Sequence, residues 1–423
     1  MADAAELVRL RRDLHQHAEL AFTEVYAAST IIHALEGIPG IRLRTGAEIF
    51  DRDRASDHPS EEDFESAASR ALSAGADPAA VARVRRDGTA VVAEIDGVGP
   101  GPLWGVRADI DALPITESRD PAHLPAREGF VSDWGTMHAC GHDGHTAIGI
   151  VLARRLAADR DFAGAVRILF QPAEESVRGA VPMIAAGAAD GIDLMLGLHL
   201  GEGLDSRVCA GGSHGLQATR KFVVEFTGVA AHAAGSPQDG RNAIAAAATA
   251  TLGMLALSRD SRGVTNVNVG TISGGRQTNI VPDSARLTGE VRSDDSAVCT
   301  DMMRRIESVV EGAATMWRVD SAVRVNGRAE TMRADPELVR HLTSVAAEVA
   351  EVAEVRDSVL MSASDDLSLW ARAVQDVGGL ATFAVVGASS PAPHHNPRFD
   401  IDEACLPVAC DWLEAAIRGW RAR

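Results

Sequence analysis

The sequence predicts an α/β protein in which one large domain is interrupted by a smaller inserted domain. Three observations support this. Strand-like and helix-like segments alternate up to about residue 215, a different order of elements follows, and residues 330–423 return to the first pattern. A chain of 423 residues is also longer than one core usually needs, so two domains are the expected organisation.

The first part of the large domain is predicted over residues 1–215. Residues 5–36 have the spacing of amphipathic helices, and helical patterns also occur near 144–157 and 178–188. Four apolar segments have the length of buried strands: 89–95, 102–110, 165–170 and 193–200. Residues 48–88 are rich in charge and predict an exposed helical insertion, for which a lid and a partner-contact surface are both hypotheses.

The inserted domain is predicted over residues 216–329. Its segments follow the order strand, helix, strand, strand, helix, strand, which is the βαββαβ order of a ferredoxin-like unit. The large domain resumes over residues 330–423. Its second part is predicted to contain helices near 336–350 and 365–375, a strand over 381–387 and a closing helix from residue 402.

Charge and composition restrict the classes of partner. The 41 basic and 59 acidic residues give a formal charge of −18, which argues against nucleic acid or an anionic membrane. The longest apolar run, residues 243–257, is alanine-rich and too short to span a bilayer. The N-terminal residues do not resemble a secretory signal, and five cysteines are few for a disulfide framework. A cytoplasmic location is therefore expected.

The segment MHACGHDGHT, residues 137–146, is the first candidate metal site. Cys140 and His142 are two residues apart and cannot share one helix face, so they are expected to converge from a turn at Gly141. A thiolate with an imidazole suits a zinc-like ion, and a thiolate can bridge two ions. The alternative is an ordinary loop with solvent-facing histidines and a packed cysteine.

Three further stretches carry groups that could complete such a site. Glu174 and Glu175 follow an apolar strand in LFQPAEES, and His199 ends another in GLHLGEG. His394 and His395 precede the last predicted helix in PHHNPRFDIDE. Each stretch alone is weak, since surface glutamates and packed histidines are common. Together they indicate a metal centre assembled from four separate segments.

These stretches give the chain a resemblance to a known family. It resembles the amidohydrolase branch of the di-metal aminoacylase and carboxypeptidase superfamily, in order and along nearly its whole length. The matching motifs are LRRDLHQHAELAFTE, GVRADIDALPITE, MHACGHDGHTA, LFQPAEE, GLHLG, AAHAAGSPQDGRNAI and HHNPRFDIDE. The resemblance implies metal-dependent hydrolysis of an N-acyl or N-aroyl amino acid. The expected substrate is aminobenzoyl-glutamate, cleaved to aminobenzoate and glutamate.

The resemblance also implies a role for each matching residue. Two divalent ions, manganese or zinc, would be bound by Cys140, His142, Glu175, His199 and His395, with Cys140 bridging. Glu174 would be the general base and proton shuttle.

The other polar residues near the proposed ligands receive a supporting role or none. In the wider superfamily a histidine ligand begins a His-x-Asp motif, whereas this chain has Arg107 in place of that histidine. Asp109 is therefore expected to support the site by orienting a metal ligand. Asp111 is either a similar support or a turn residue. The spacing to Phe399 favours His395 over His394 as the ligand. His138, Asp143 and His145 receive no ligand role, although Asp143 could orient His142.

Three residues of the inserted domain receive roles from the resemblance alone. His232 is expected to reach the active site of a neighbouring subunit, where it would stabilise the oxyanion, and Asn279 and Arg292 are expected to hold the substrate carboxylate. The alternatives are an ordinary loop histidine and an exposed strand arginine. The implied assembly is a homodimer, or a heterodimer with a homologous subunit, formed through this dimerisation domain.

Rival functions stay open at this point. The same chemistry could act on another N-acyl amino acid, such as indole-acetyl-aspartate. The chain could instead be a non-catalytic partner subunit of a hetero-oligomeric amidohydrolase, or a metal-binding scaffold. The presence of Glu174 beside Glu175 favours catalysis over the last two.

Overall fold

The computed structural model describes residues 2–421 and divides them into two compact units. The larger unit contains the described residues up to His214, the segment Met332–Met361 and the chain from Asp366 onward. The smaller unit contains Gly215–Thr331 and Ser362–Asp365. The sequence predicts domain boundaries at 215/216 and 329/330. That these units are independently folding domains stays a prediction.

Helices and strands alternate through most of the chain. The helices are α1 (Ala2–Gln16), α2 (Val25–Leu35), α3 (Glu61–Ser73), α4 (Pro78–Asp87), α5 (Leu124–Glu128), α6 (His142–Ala158), α7 (Ala180–Ala185), α8 (Ala243–Leu255), α9 (Ser296–Trp317), α10 (Pro336–Ala346), α11 (Leu367–Gln375) and α12 (Cys405–Gly419). The strands are β1 (Ile41–Thr45), β2 (Val91–Asp96), β3 (Leu103–Asp109), β4 (Ala165–Gln171), β5 (Leu194–Leu200), β6 (Val208–Ala210), β7 (Ser213–His214), β8 (Ala218–Thr227), β9 (Thr265–Gly274), β10 (Ser284–Ser293), β11 (Asp320–Ala329), β12 (Glu354–Arg356), β13 (Val359–Leu360) and β14 (Leu380–Val386).

The larger unit is built on an eight-stranded sheet in the order β1-β2-β4-β3-β5-β14-β6-β12. Its centre, β4-β3-β5-β14, is parallel, whereas β1 and β2 pair antiparallel at one side. Parallel strands require crossover connections, which bury both faces of the sheet under helices. The four central strands therefore end at the same edge, where α/β proteins place their sites.

Small residues bring helix α6 close to this sheet. A Cβ atom at Gly149 would lie 2.7 Å from the Phe170 ring, and one at Gly144 would lie 2.6 Å from Leu200. Larger residues would force the helix away from the strands, because protein interiors are close-packed. The start of α6 is thus held near the ends of β4 and β5.

The segment predicted as a charged insertion contains α3 and α4. Ser60 caps α3 by accepting from the backbone N–H of Asp63, and Asp77 caps α4 by accepting from that of Ala80. One face of α3 packs into the core through Ala67, Ala68 and Ala71, all fully buried. The insertion is therefore a packed part of the larger unit.

The smaller unit has the predicted βαββαβ order. Its antiparallel sheet follows β11-β8-β10-β9, so the first strand lies between the fourth and the third. Its core joins Phe222, Val224 and Phe226 of β8 to the buried faces of α8 and α9. An α/β fold with a ferredoxin-like insertion is thereby confirmed. Among the described residues, no helix is long and apolar enough to cross a membrane.

Close packing at the centre of the sheet can be tested at Gly197 on β5. A Cβ atom there would lie 2.0 Å from a terminal methyl carbon of Leu367, and the side chains around it are buried. We expect Gly197→Ala to lower the free energy of unfolding by about 1–3 kcal/mol through overpacking. Urea unfolding followed by tryptophan fluorescence would measure it, since five of the six tryptophans lie in the larger unit.

The control is the double variant Gly197→Ala/Leu367→Ala. Leu367→Ala alone opens a cavity, but in the double variant the new methyl group occupies part of it, so the two costs should not add. Additive costs would contradict the steric explanation.

Candidate metal centre and active site

The four segments singled out from the sequence meet at the carboxyl edge of the central strands. Cys140 lies two residues before the first residue of α6, and Gly141 between them has a left-handed φ of 86°. His199 lies at the end of β5, and the Glu174–Glu175 pair follows β4. The backbone N–H of His395 donates to the carbonyl of Ala139 at 2.8 Å, which brings the loop before α12 beside the cysteine.

The side chains of these segments form overlapping groups whose ligand atoms lie within 4.8 Å of one another. These groups include Cys140/His142/His199, Cys140/Glu175/His395 and His142/Glu174/Glu175. The structure thus brings together all five predicted ligands and the predicted base. The groups Cys140/His142/His199 and Cys140/Glu175/His395 have only the Cys140 sulfur in common, and His142 and Glu175 connect each of them to the third group.

Two histidines are oriented with one nitrogen toward this cluster. Nδ1 of His142 donates to the Asp111 carbonyl at 2.9 Å, and Nδ1 of His199 donates to the Leu200 carbonyl at 3.0 Å. In the neutral imidazole each Nε2 then carries the lone pair that a metal ligand requires. Nε2 of His199 lies 3.6 Å from the sulfur of Cys140.

Nε2 of His142 is the clearest sign that a metal would fit. It is buried and has no hydrogen-bond partner among the described residues. Carboxylate oxygens of Asp109, Glu174 and Glu175 lie 3.6, 3.8 and 3.9 Å away, too far for hydrogen bonds. Because buried polar atoms are normally satisfied, this spacing suits a shared cation better than direct bonding.

His145 is fully engaged in positioning other groups. Its Nε2 accepts from the backbone N–H of Leu200 at 3.0 Å, and its Nδ1 donates to Asp109 at 2.5 Å. The other oxygen of Asp109 accepts from Arg107. Asp109 therefore bonds His145 and Arg107, and its carboxylate lies 3.6 Å from Nε2 of His142, so its predicted role of orienting a ligand stays a prediction. Neither His145 nitrogen is left for a ligand role.

The structure also distinguishes the two neighbouring histidines of the last loop. Nε2 of His395 lies 3.4 Å from Glu175, and its side chain is 54% exposed. Nε2 of His394 instead donates to the Leu200 carbonyl at 3.2 Å, and burial lowers the pKa of His394 to about 4. His394 also belongs to a group with His199 and Glu202, so its position near the cluster alone does not decide its role.

Asp111 and Glu24 position the loop that carries the two glutamates; the sequence predicted either a support or a turn role for Asp111 and none for Glu24. The two Asp111 carboxylate oxygens accept from the backbone N–H groups of Glu174 at 2.9 Å and Glu175 at 3.1 Å. Glu24 accepts from the N–H of Ala173, which has a left-handed φ of 59°. These bonds hold a strained loop in the form that aims both glutamates into the cluster. Only the LAFTE and RADID motifs mark them in the sequence.

The electrostatics of the cluster reflect burial and crowding. Burial, followed by the charge of Glu175, raises the pKa of the Cys140 thiol well above its usual value. Burial by itself would lower the pKa of His142, but Asp109, Asp111 and Cys140 raise it well above the usual value. Burial and then His145 lower the pKa of His199 well below its usual value. Thiol, imidazole and carboxylate groups this close together are suitable ligands for a divalent cation.

Asp143, which could have oriented His142, faces helix α1 instead. Its carboxylate accepts from Arg11 at 2.8 Å and pairs with Nδ1 of His15 at 2.7 Å. Arg11 also binds Asp400 at 2.6 Å, and all these side chains are buried. Asp143 therefore anchors the first turn of α6 to the rest of the unit.

In the smaller unit, His232 and Asn279 lie side by side. The N–H of Ala233 donates to the Asn279 carbonyl at 3.0 Å, and Nδ1 of His232 accepts from the N–H groups of Ala234 and Gly235. The ring proton of His232 is thus placed on the exposed Nε2. Arg292 lies on β10 with its guanidinium bound to both oxygens of Glu290, at 3.0 and 3.1 Å.

Known proteins resemble this chain over most of its length. The model of peptidase family M20/M25/M40 matches residues 105–419. The chain is 39% identical to indole-3-acetyl-aspartic acid hydrolase of Enterobacter agglomerans, over 96% of this chain and 94% of that protein. It is 38% identical to one of the named subunits of p-aminobenzoyl-glutamate hydrolase from Escherichia coli K12, over 97% and 94%.

A solved structure resembles the whole fold as well. The aminobenzoyl-glutamate utilization protein from Klebsiella pneumoniae superposes with a TM-score of 0.85 at 34% identity, covering 99% of this chain and 96% of that one. The family match covers most of the chain, and the relatives named here are matched over nearly their full length. The chain therefore belongs to peptidase family M20/M25/M40 and is an amidohydrolase that acts on carbon–nitrogen bonds.

Proposed function

We propose that this chain is a catalytic subunit that hydrolyses the amide bond of an N-acyl amino acid with two divalent metal ions. The ligands would be Cys140, His142, Glu175, His199 and His395, with Glu174 as the base. The observation that carries the proposal is the Cys140 sulfur, which belongs to two separate groups of ligand atoms beside Glu174.

The donor set fits a pair of divalent ions. A thiolate, three imidazoles and a carboxylate suit zinc, and manganese accepts the nitrogen and oxygen donors. When bound, the ions would polarise the amide carbonyl and lower the pKa of a water molecule. Zinc and manganese are both proposed, because the donors do not select between them.

Glu174 would move the proton in this reaction. As the water oxygen bonds to the acyl carbon, the Glu174 carboxylate takes a water proton, and it returns that proton to the amide nitrogen as the C–N bond breaks. The products are a carboxylic acid and a free amino acid. Asp111 supports this role because it fixes the backbone N–H of Glu174.

His232 is proposed to stabilise the oxyanion of the tetrahedral intermediate in a neighbouring subunit. Its Nδ1 already accepts two backbone N–H groups, so Nε2–H is the available donor. We propose a homodimer or a heterodimer with a homologous subunit, in keeping with the E. coli relative, whose name describes it as one subunit of a hydrolase. A cytoplasmic location is also proposed, since all five cysteines are free.

The proposed substrate carries a flat aromatic acyl group and an acidic amino acid. The two named relatives act on indole-3-acetyl-aspartate and on p-aminobenzoyl-glutamate, which share these two features. We propose p-aminobenzoyl-glutamate first, and indole-3-acetyl-aspartate as the second candidate. Rates of amino-acid release from both conjugates would test the order, and hydrolysis of the indole conjugate alone would reverse it.

Replacing Glu174 by glutamine tests whether this chain is the catalyst. We expect the Glu174→Gln variant to lose activity about 10²–10⁴-fold, because the amide cannot accept the water proton. The bound metal, measured by elemental analysis, should stay unchanged. Glu128→Gln, an exposed glutamate in α5, is the matched control. Full activity of the Glu174 variant would make this chain the non-catalytic partner subunit.

Metal analysis of adjacent histidine variants tests the ligand assignment. His395→Ala should reduce the metal content from about two ions to about one per chain, because one ion loses a ligand. His394→Ala should keep both ions, since its Nε2 bonds a backbone carbonyl. The opposite pattern would transfer the ligand role to His394.

Arg292 can be tested as the group that binds the substrate carboxylate. We expect Arg292→Met to raise KM for p-aminobenzoyl-glutamate by about tenfold or more while kcat changes little, since it removes a bidentate contact. Arg286→Met on the same strand is the control, because Arg286 also lies near a glutamate and is exposed, whereas Arg292 is half-buried. An equal change in both variants would exclude a specific role for Arg292.

A further inference from the structure

A cavity of ≈ 580 Å³ in the larger unit joins the metal-centre residues to the charged insertion. Its wall includes Glu175 and Asp111 on one side and residues of the insertion on the other. Since Glu175 is a proposed ligand, the cavity reaches the reacting centre. Its volume is within the usual range for small-molecule sites, about 300–1,000 Å³.

Helix α3 contributes one face to this cavity. Asp63, Ser66 and Arg70 all line it, at the i, i+3 and i+7 spacing that places residues on one side of a helix. The neighbouring face of α3 is packed into the core through its buried alanines. This wall is therefore a fixed surface.

A further set of bonds ties the insertion to the loop that carries the glutamates. Arg178 donates from Nη1 to the carbonyls of Asp57 at 3.0 Å and Ser56 at 3.3 Å, and from Nε to Ser176 at 2.6 Å. Its guanidinium lies 5.3 Å from the centre of the Phe22 ring. These hydrogen bonds thus hold the 56–57 segment of the insertion beside Ser176, the residue that follows the proposed ligand Glu175.

The remaining wall of the cavity is largely apolar. Leu20, Pro59, Leu113 and Pro114 line it, and Leu20 is 37% exposed although it is a large apolar residue. The N–H of Ala112 donates to the carbonyl of Glu19 at 2.8 Å, which holds the Leu20 segment against the 112–114 segment. A flat apolar group entering the cavity would cover this surface and be desolvated there.

We infer that the insertion forms one wall of the pocket for the acyl group and selects aromatic over small acyl groups. The inference rests on the proposed function, which gives the substrate two halves flanking the amide. The cavity suits the acyl half because Leu20, Pro59, Leu113 and Pro114 offer apolar surface to a flat ring. Of its two arginines, Arg178 is bonded to the protein through Nε and Nη1, and the guanidinium of Arg70 lies 5.3 Å from the centre of the Trp134 ring. The 48–88 segment would then determine acyl specificity.

Filling the cavity from α3 tests this inference. Ser66→Trp in the metal-loaded enzyme would place an indole in the cavity, and Ser69→Trp would place it on the same helix outside the cavity lining. The substrates keep glutamate constant and vary the acyl group: p-aminobenzoyl-, benzoyl- and acetyl-glutamate. We expect Ser66→Trp to lower kcat/KM at least about tenfold for the two aroyl substrates and less than about twofold for the acetyl one.

The control makes each outcome decisive. Ser69→Trp should match the wild type on all three substrates. Equal losses on all substrates, or no loss on any, would overturn the inference.

A binding measurement separates this inference from the proposed function. Calorimetric titration with 4-aminobenzoate, the acyl product, should show binding to the wild type and Ser69→Trp but at least about tenfold weaker binding to Ser66→Trp. If the wild type cleaves none of the amides, the proposed function fails, and the titration still tests the pocket. Equal affinity of all three proteins for 4-aminobenzoate would overturn the assignment of the pocket.

Discussion

The Asp111 residue connects most of the candidate centre through hydrogen bonds. Its carboxylate accepts the backbone N–H groups of Glu174 and Glu175, and its carbonyl accepts from His142. Asp111, which lies two residues after the end of β3, therefore fixes both the loop after β4 and the first residue of α6. The base and two of the proposed ligands depend on its position, although Asp111 is assigned neither role.

This arrangement depends in turn on parallel strand pairing and close helix packing. The central strands end at one edge, and Gly144 and Gly149 allow α6 to approach them. Buried ion pairs from Arg11 to Asp143 and Asp400 then hold the start of α6 and the loop before α12. Removing one member of such a buried set is costly, because it leaves a charge without compensation. The polar network therefore belongs to the framework of the site.

Much of the fold and site followed from local patterns. Apolar segments indicated the central strands, and the βαββαβ order indicated the inserted unit. The roles of Glu24 and Asp143 did not follow, and the choice between support and turn for Asp111 stayed open, because each acts on a residue distant in the chain. Glu24 bonds the N–H of Ala173, and Asp143 binds Arg11, so neither partner is visible from sequence spacing. The sequence also did not show that the 48–88 insertion lies beside the loop of the glutamates, because that position depends on the Arg178 contacts with Ser56 and Asp57.

The sequence by itself determined which donor groups exist and in which segments, because residue type decides the chemistry of a thiol, an imidazole or a carboxylate. The tertiary structure decided which of them face the centre. His142 and His199 present Nε2 because backbone carbonyls take their Nδ1 protons, whereas His145 and His394 use Nε2 in bonds to the backbone of Leu200. Apart from the local bond between His199 and Leu200, those bonds join distant segments, and only the folded chain brings them together.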